Sequence, residues 1–175
     1  MPRTTTDPES IVITNAFKII VDNREQAPWR FSGITDERSG YPLIIPLVTN
    51  KSLATGDYSI EGLGHLITVE RKSVGDFRGS VTAERERFER EMERMANMRY
   101  ADVVIEGSWA DLTKPGQYST SVSPKVFTRT IASWSRRYGV HFWLMDDRRC
   151  AEVWAFRLLL TAWKQLQEVK EGESK

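Results

Sequence analysis

The chain has 175 residues, 40% hydrophobic and 28% charged, with a net charge of +1. That is enough for one substantial core and too little for two ordinary domains. The single cysteine, Cys150, excludes a disulfide framework or cysteine zinc site, His65 and His141 are isolated and read as structural or surface residues, and no apolar stretch suits a signal peptide or a bilayer span, so one intracellular domain without membrane contact is expected.

In chain order, residues 1–15 read as a flexible leader, and Phe17 to Asp22 as the first strand. The loop from Arg24 to Ser32 carries Trp29 and Phe31, which either pack against that strand or stack on a nucleic-acid base. Tyr41 to Val48 is apolar, but Pro42 and Pro46 confine it to an edge strand or a loop, and residues 33–52 carry no readable role. Asp57 opens a strand, Gly62 and Gly64 supply a turn, and Leu66 to Arg71 is the returning strand. After Asp76 the spacing of Phe88, Met92 and Met95 predicts a helix with one buried stripe.

Ala101 to Glu106 reads as a strand covered on both faces, with Glu106 either reaching a metal cluster or marking the end of the sheet. Ser123 and Pro124 start a helix, Phe127, Ile131, Trp134 and Tyr138 repeat along it, and Gly139 ends it. A further strand at His141 to Leu144 leads to Asp146 or Asp147, either of which caps a last helix running to about Val169, ahead of a charged tail at 171–175. Strands alternating with helices predict an α/β sandwich with a mixed central sheet. Along the last helix Val153, Trp154, Phe156, Leu158, Leu159, Leu160 and Trp163 wrap beyond the ~100° stripe of a surface helix, which implies deep burial or a dimer interface.

The chemistry concentrates in the strand, turn and strand. Alternation along a strand puts Glu70 and Lys72 on one face, with Arg71 on the other. Alone, such a pair is often only a solvated ion pair worth ~0–1 kcal/mol. Asp57 on the neighbouring strand, Asp76 beyond and Asp22 at the end of an earlier strand change that reading. Two carboxylates suit Mg²⁺ or Mn²⁺, which prefer oxygen ligands and keep waters that a phosphate can replace. A lysine beside them can orient or help deprotonate such a water, while the metal polarises the phosphoryl oxygen. The near-neutral charge argues least for DNA, although Arg85 and Arg87 lie close to the acids as phosphate contacts, or as members of a salt-bridged helix face.

Gly56-Asp57, Glu70-Arg71-Lys72 and Asp76 resemble the GDX(n)ERKX(3)D signature of XPF-type (ERCC4-domain) structure-specific endonucleases, and Asp22-Asn23-Arg24-Glu25 resembles the family's D-x-R-E element. The resemblance implies a restriction-endonuclease-like fold over residues 16–170 and a divalent-metal-dependent endonuclease cutting DNA at branched, flap or junction structures. By this reading Asp57 and Glu70 hold the metal, with the Arg71 backbone carbonyl as a further ligand. Lys72 positions or activates water, and Asp22 completes the acidic cluster. Arg24 is implied as a phosphate contact or a support behind the ligands, Glu25 as a supporting acid, and Asp76 as a site residue, with helix capping as its other role.

The resemblance also implies a homodimer through the C-terminal helices. Relatives commonly add a helix-hairpin-helix or helicase region for which this length has no room, so a further protein partner for targeting and a phage or mobile-element origin are expected. Two other classes remain open: a non-catalytic DNA-binding subunit, and a sequence-specific restriction-type nuclease.

Overall fold

The computed structural model describes residues 11–114 and 122–173; residues 1–10 and 174–175, where much of the expected leader and the end of the expected tail fall, lie outside the described residues. At the centre is a six-stranded mixed sheet. β2 (Ile19–Asp22) pairs antiparallel with β5 (Tyr58–Ile60), which pairs antiparallel with β6 (Ile67–Ser73); β7 (Tyr100–Glu106) and β8 (His141–Met145) continue parallel to β6. β4 (Leu47–Lys51) lies parallel to β2 and closes the other edge. β1 (Ile13–Thr14) and β3 (Leu43–Ile44) form a separate parallel pair. Pro46 falls between β3 and β4, and the edge position of β4 is one a proline-bounded segment can occupy.

Side-chain alternation divides the molecule into two layers. Ile67 and Val69 of β6 and Val104 of β7 join one core with Phe17, Phe156 and Leu159, covered by α5 (Arg148–Glu173). Val103 and Ile105 point the other way, into a core with Phe77, Phe88, Met92 and Trp134. That second layer is built by α1 (Val74–Val81), α2 (Arg85–Met95), α3 (Trp109–Thr113) and α4 (Pro124–Tyr138). The result is the expected α/β sandwich around a mixed sheet.

The helices follow their sequence signals. In α2 the buried residues are Phe88, Met92 and Met95. α4 begins with proline in its first turn and ends at Gly139, whose φ of 68° is the left-handed conformation that glycine adopts without steric cost. Asp147 Oδ1 accepts the Cys150 N–H at 2.7 Å and so caps α5. α5 continues to Glu173, past the expected end near Val169, because lysine and glutamate propagate a helix nearly as well as apolar residues do. Its Ala155, Phe156 and Leu159 are buried, while Val153, Trp154, Leu158, Leu160 and Trp163 pack half-buried at the edge of the same core.

Of the two alternatives for Trp29 and Phe31, packing is the one found. Both rings are 1% exposed, and Trp29 stacks on Tyr58 with centroids 4.7 Å apart. His65 and His141 are at the surface, Cys150 is exposed, and among the described residues no helix is long and apolar enough to cross a membrane.

Candidate active site

The antiparallel pairings of β2 with β5 and β5 with β6 bring the end of β2, the start of β5 and the later part of β6 to one end of the sheet. Backbone bonds lock them there. The Asp22 N–H donates to the Asp57 carbonyl at 2.8 Å, and the Asp57 N–H to the Val69 carbonyl at 3.0 Å. Gly56 makes the approach possible: its φ is +74°, and a Cβ there would lie 2.0 Å from Thr68 Oγ1. Asp57 then turns its Oδ2 to accept the Arg71 N–H at 2.8 Å. Glu70 and Lys72 share the opposite face of β6 from Arg71, form a hydrogen-bonded ion pair, and are only 4% and 9% exposed. The Lys72 ammonium also sits 4.9 Å from the centre of the Phe88 ring. Around these side chains lies an open cleft of about 770 Å³, whose walls include Asp57, Glu70, Lys72, Asp76, Arg87 and Glu91.

The electrostatics of the cleft are unbalanced. Burial pushes the Asp57 carboxyl up to about 6, against the stabilising Arg71 N–H and with the help of the Glu25 and Glu91 charges. Burial likewise raises Glu70 well above the usual carboxylate range, and the Asp57 charge adds to it. For Lys72, burial works downward, but the Glu70 charge and hydrogen bond outweigh it and hold the ammonium protonated. Two acids thus face one lysine. Asp57 Oδ1 and Glu70 Oε2 make no hydrogen bond among the described residues, and a divalent cation with a preference for hard oxygen ligands suits that pair. Among the described residues no three Asp, Glu, His or Cys side chains converge closely enough to hold a metal by themselves.

Asp22 reaches the same end of the sheet but is committed elsewhere. Its Oδ1 accepts from the Arg24 backbone N–H at 2.9 Å and Nε at 2.7 Å, and its Oδ2 accepts from Arg24 Nη2 at 2.9 Å and the Leu53 N–H at 2.6 Å. Arg24 holds the Asp22 carboxyl down to about 2 in spite of burial. Arg24 itself is exposed on the cleft wall. Glu25 accepts from Arg71 at 3.4 Å and from the Ala27 N–H at 2.6 Å, and it too lines the cleft. Asp76 is exposed in the first turn of α1 and supports its N-cap, Ser73: the Asp76 carboxylate accepts the Ser73 hydroxyl at 2.7 Å while the Asp76 N–H donates to Ser73 Oγ at 3.1 Å.

Arg87 lies on the cleft wall, paired with Glu84 at 2.6 Å rather than with Glu91. Arg85, expected beside it as a phosphate contact, is not brought to the cleft. It pairs with Glu89 at 3.1 Å and lies 4.9 Å from the Trp134 ring, because the buried stripe of α2 turns this flank toward α4. Glu106 is no member of the acid cluster either. Its carboxylate accepts from both Arg71 Nε and Nη2 at 2.8 Å, together with Trp29 Nε1 at 2.8 Å and Arg148 at 2.9 Å.

Sequence reasoning missed Glu91 and Arg94 as cleft residues. With Glu84 and Arg87 they occupy one flank of α2 at i, i+3, i+7 and i+10. The signal was present in the phase of Phe88, Met92 and Met95, which fixes that flank once the helix is docked.

The family model of the ERCC4 domain matches residues 21–158. Among solved structures, XPF from Aeropyrum pernix matches with a TM-score of 0.59 at 23% identity, over 88% of this chain and 69% of that one. A second structure, XPF from Aeropyrum pernix in complex with DNA, matches with a TM-score of 0.58 at 22% identity, over 85% of this chain and 66% of that one. At these identities the likeness establishes the fold. No curated protein sequence matches the chain.

Proposed function

The chain belongs to the ERCC4-domain family, and from that premise we propose that it is a divalent-metal-dependent endonuclease that hydrolyses DNA phosphodiester bonds at branched, flap or junction structures. The observation that carries the reading is half-buried Asp57 and buried Glu70 beside a single lysine, Lys72, and open to a cleft. Asp57 and Glu70 would hold Mg²⁺ or Mn²⁺, together with the Arg71 carbonyl. That carbonyl points to the same side of β6 as the N–H that meets Asp57, because both main-chain groups of a strand residue face one neighbour. When bound, the metal supplies Lewis acidity toward the phosphoryl oxygen and lowers the pKa of a bound water.

Lys72, kept charged by Glu70, orients the attacking water and stabilises the negative charge that grows in the transition state. Asp22 acts through Arg24, holding its guanidinium on the cleft wall. Arg24, Arg87 and Arg94 line the cleft and supply local positive charge that the net +1 of the whole chain does not. A homodimer is part of the proposal, resting on the half-buried apolar side chains of α5.

Labelled linear duplex, fork, flap and single-stranded DNA are incubated with the protein in Mg²⁺ or Mn²⁺, beside Asp57→Ala and Lys72→Ala. Cleavage of branched substrates that both variants lose is the expected result. Activity that survives Asp57→Ala removes the mechanism, and equal cutting of linear and branched DNA removes the structure preference. Light scattering of the purified protein tests the dimer.

A further inference from the structure

We propose that Glu91 is an additional acid of the metal centre, a positioning residue on α2 that holds the water shell of the cation bound by Asp57 and Glu70. The inference rests on the metal-dependent reading above and assigns it a residue outside the strand signature.

The placement follows from the docking of α2. Phe88, Met92 and Met95 are buried, and Phe88 lies under the Lys72 ammonium, so the rotation of the helix is fixed against the site itself. Glu91, one turn beyond Phe88, comes onto the cleft wall with Asp57, Glu70 and Lys72. It is half-buried and makes no hydrogen bond or ion pair with another described residue.

Its own helix could have neutralised it and does not. Arg87, four residues earlier, pairs with Glu84, and Arg94, three residues later, donates to the Arg90 carbonyl. The Glu91 charge acts instead on Asp57, Glu70, Lys72 and Arg24. A third carboxylate beside half-buried Asp57 and buried Glu70 is repulsive without a cation and attractive with one.

The contact runs through water. No three acidic side chains among the described residues converge closely enough for joint direct ligation. Mg²⁺ and Mn²⁺ held by only a few protein oxygens keep several waters, and those directed toward α2 meet Glu91 as a hydrogen-bond acceptor.

The test measures Mn²⁺ binding to the DNA-free protein by calorimetry, for the wild type, Asp57→Ala, Glu91→Gln, Glu91→Asp and Glu93→Gln. Glu93 is on the same helix but exposed and off the cleft wall. Glu91→Gln is expected to weaken binding about tenfold, the usual lower range for loss of a group supporting metal ligands. Glu91→Asp should recover part of the affinity and Glu93→Gln should match the wild type, with melting temperatures in chelator unchanged across the Glu91 variants. Asp57-dependent binding that Glu91→Gln leaves intact overturns this inference alone. Absence of Asp57-dependent binding in the wild type overturns both this inference and the metal-dependent reading beneath it.

Discussion

The two faces of β6 handle buried charge in opposite ways. On one, Arg71 is met by Glu106 through two hydrogen bonds and by Glu25, while Glu106 also receives Trp29 and Arg148. On the other, Glu70 and Lys72 pair beneath Asp57 and Glu91, and the acids outnumber the lysine. The first face matches its charges, borders the cleft only at Glu25 and Arg71, and ties the sheet to the Arg24 to Ser32 loop and to α5. The second is open to a cleft and incomplete. A buried ion network whose charges are all matched serves as scaffold, whereas one whose acids outnumber its cations is suited to receive positive charge from a ligand.

The largest expected effect is functional and falls on the incomplete face. Asp57→Asn keeps the acceptor for the Arg71 N–H and removes a charge that burial disfavours. Metal-dependent cleavage should fall by at least about 10²–10³-fold, the loss typical of removing one electrostatic group from a reaction centre. The melting temperature in chelator should hold or rise. A variant that loses activity together with stability would contradict the contrast, since Asp57 would then be part of the scaffold.

The matched face should give the converse. Glu106→Ala leaves Arg71, whose side chain is 12% exposed, with Glu25 alone, and strips Trp29 Nε1 of its acceptor. Breaking a buried pair from one side costs about 3–5 kcal/mol, so the urea midpoint should fall by a corresponding amount. Glu106→Gln, which keeps an acceptor for Trp29, should lose less. Equal stability of Glu106→Ala and wild type would remove the distinction between the faces.

The chain revealed these two faces unequally. Alternation along β6 was enough to put Glu70 beside Lys72 and to turn Arg71 away, because a strand has only two sides. The fold class was legible for a similar reason: Pro124, Gly139 and the apolar spacing of α2 and α4 are local signals. What remained hidden depends on contacts between distant segments. Asp22 reads as a free acid in the chain, yet Arg24 folds back on it and Leu53, far along the sequence, supplies another donor. Glu106 reads as a strand terminus until Trp29 and Arg148 are brought to it. On α2, the charges look like alternating i,i+4 pairs, and only docking against Lys72 and Trp134 decides that Glu91 faces the cleft and Arg85 faces α4.

Asp102 is the exception on the matched face and gives a smaller test. It lies in β7 beside Val69, accepts the Trp143 indole N–H at 2.7 Å, and among the described residues its one ion-pair neighbour is the exposed His141, at 3.7 Å. Burial raises its carboxyl above the ordinary range, against the Trp143 hydrogen bond and the His141 charge. Because the folded state then holds the proton more tightly than the unfolded chain, this group's contribution is most favourable below the unfolded value of about 3.9 and is lost as pH rises through the folded pKa. Asp102→Asn keeps an oxygen for Trp143 and removes that loss. In urea denaturation at a series of pH values, the variant should exceed the wild type near neutrality and the difference should shrink in acid. A difference that grew in acid would mean that Asp102 is a matched charge after all.

The smallest effect separates the two flanks of α2, and it extends the contrast from the sheet to the helix above it. Arg94 lines the cleft, and its only hydrogen bond among the described residues is to the Arg90 carbonyl, so its charge is available to a phosphate. Arg85 is spent on Glu89 and the Trp134 ring. If the open flank meets DNA, Arg94→Ala should weaken binding of every DNA sequence alike and reduce the slope of log affinity against log salt by about one, the change expected for one lost phosphate contact. Arg85→Ala should leave that slope unchanged and instead lower stability by about 0.5–1 kcal/mol, the scale of an exposed cation–aromatic contact. The reverse pattern would place the DNA on the α4 side, where Arg85 lies, and would detach phosphate binding from the cleft that holds Asp57 and Glu70.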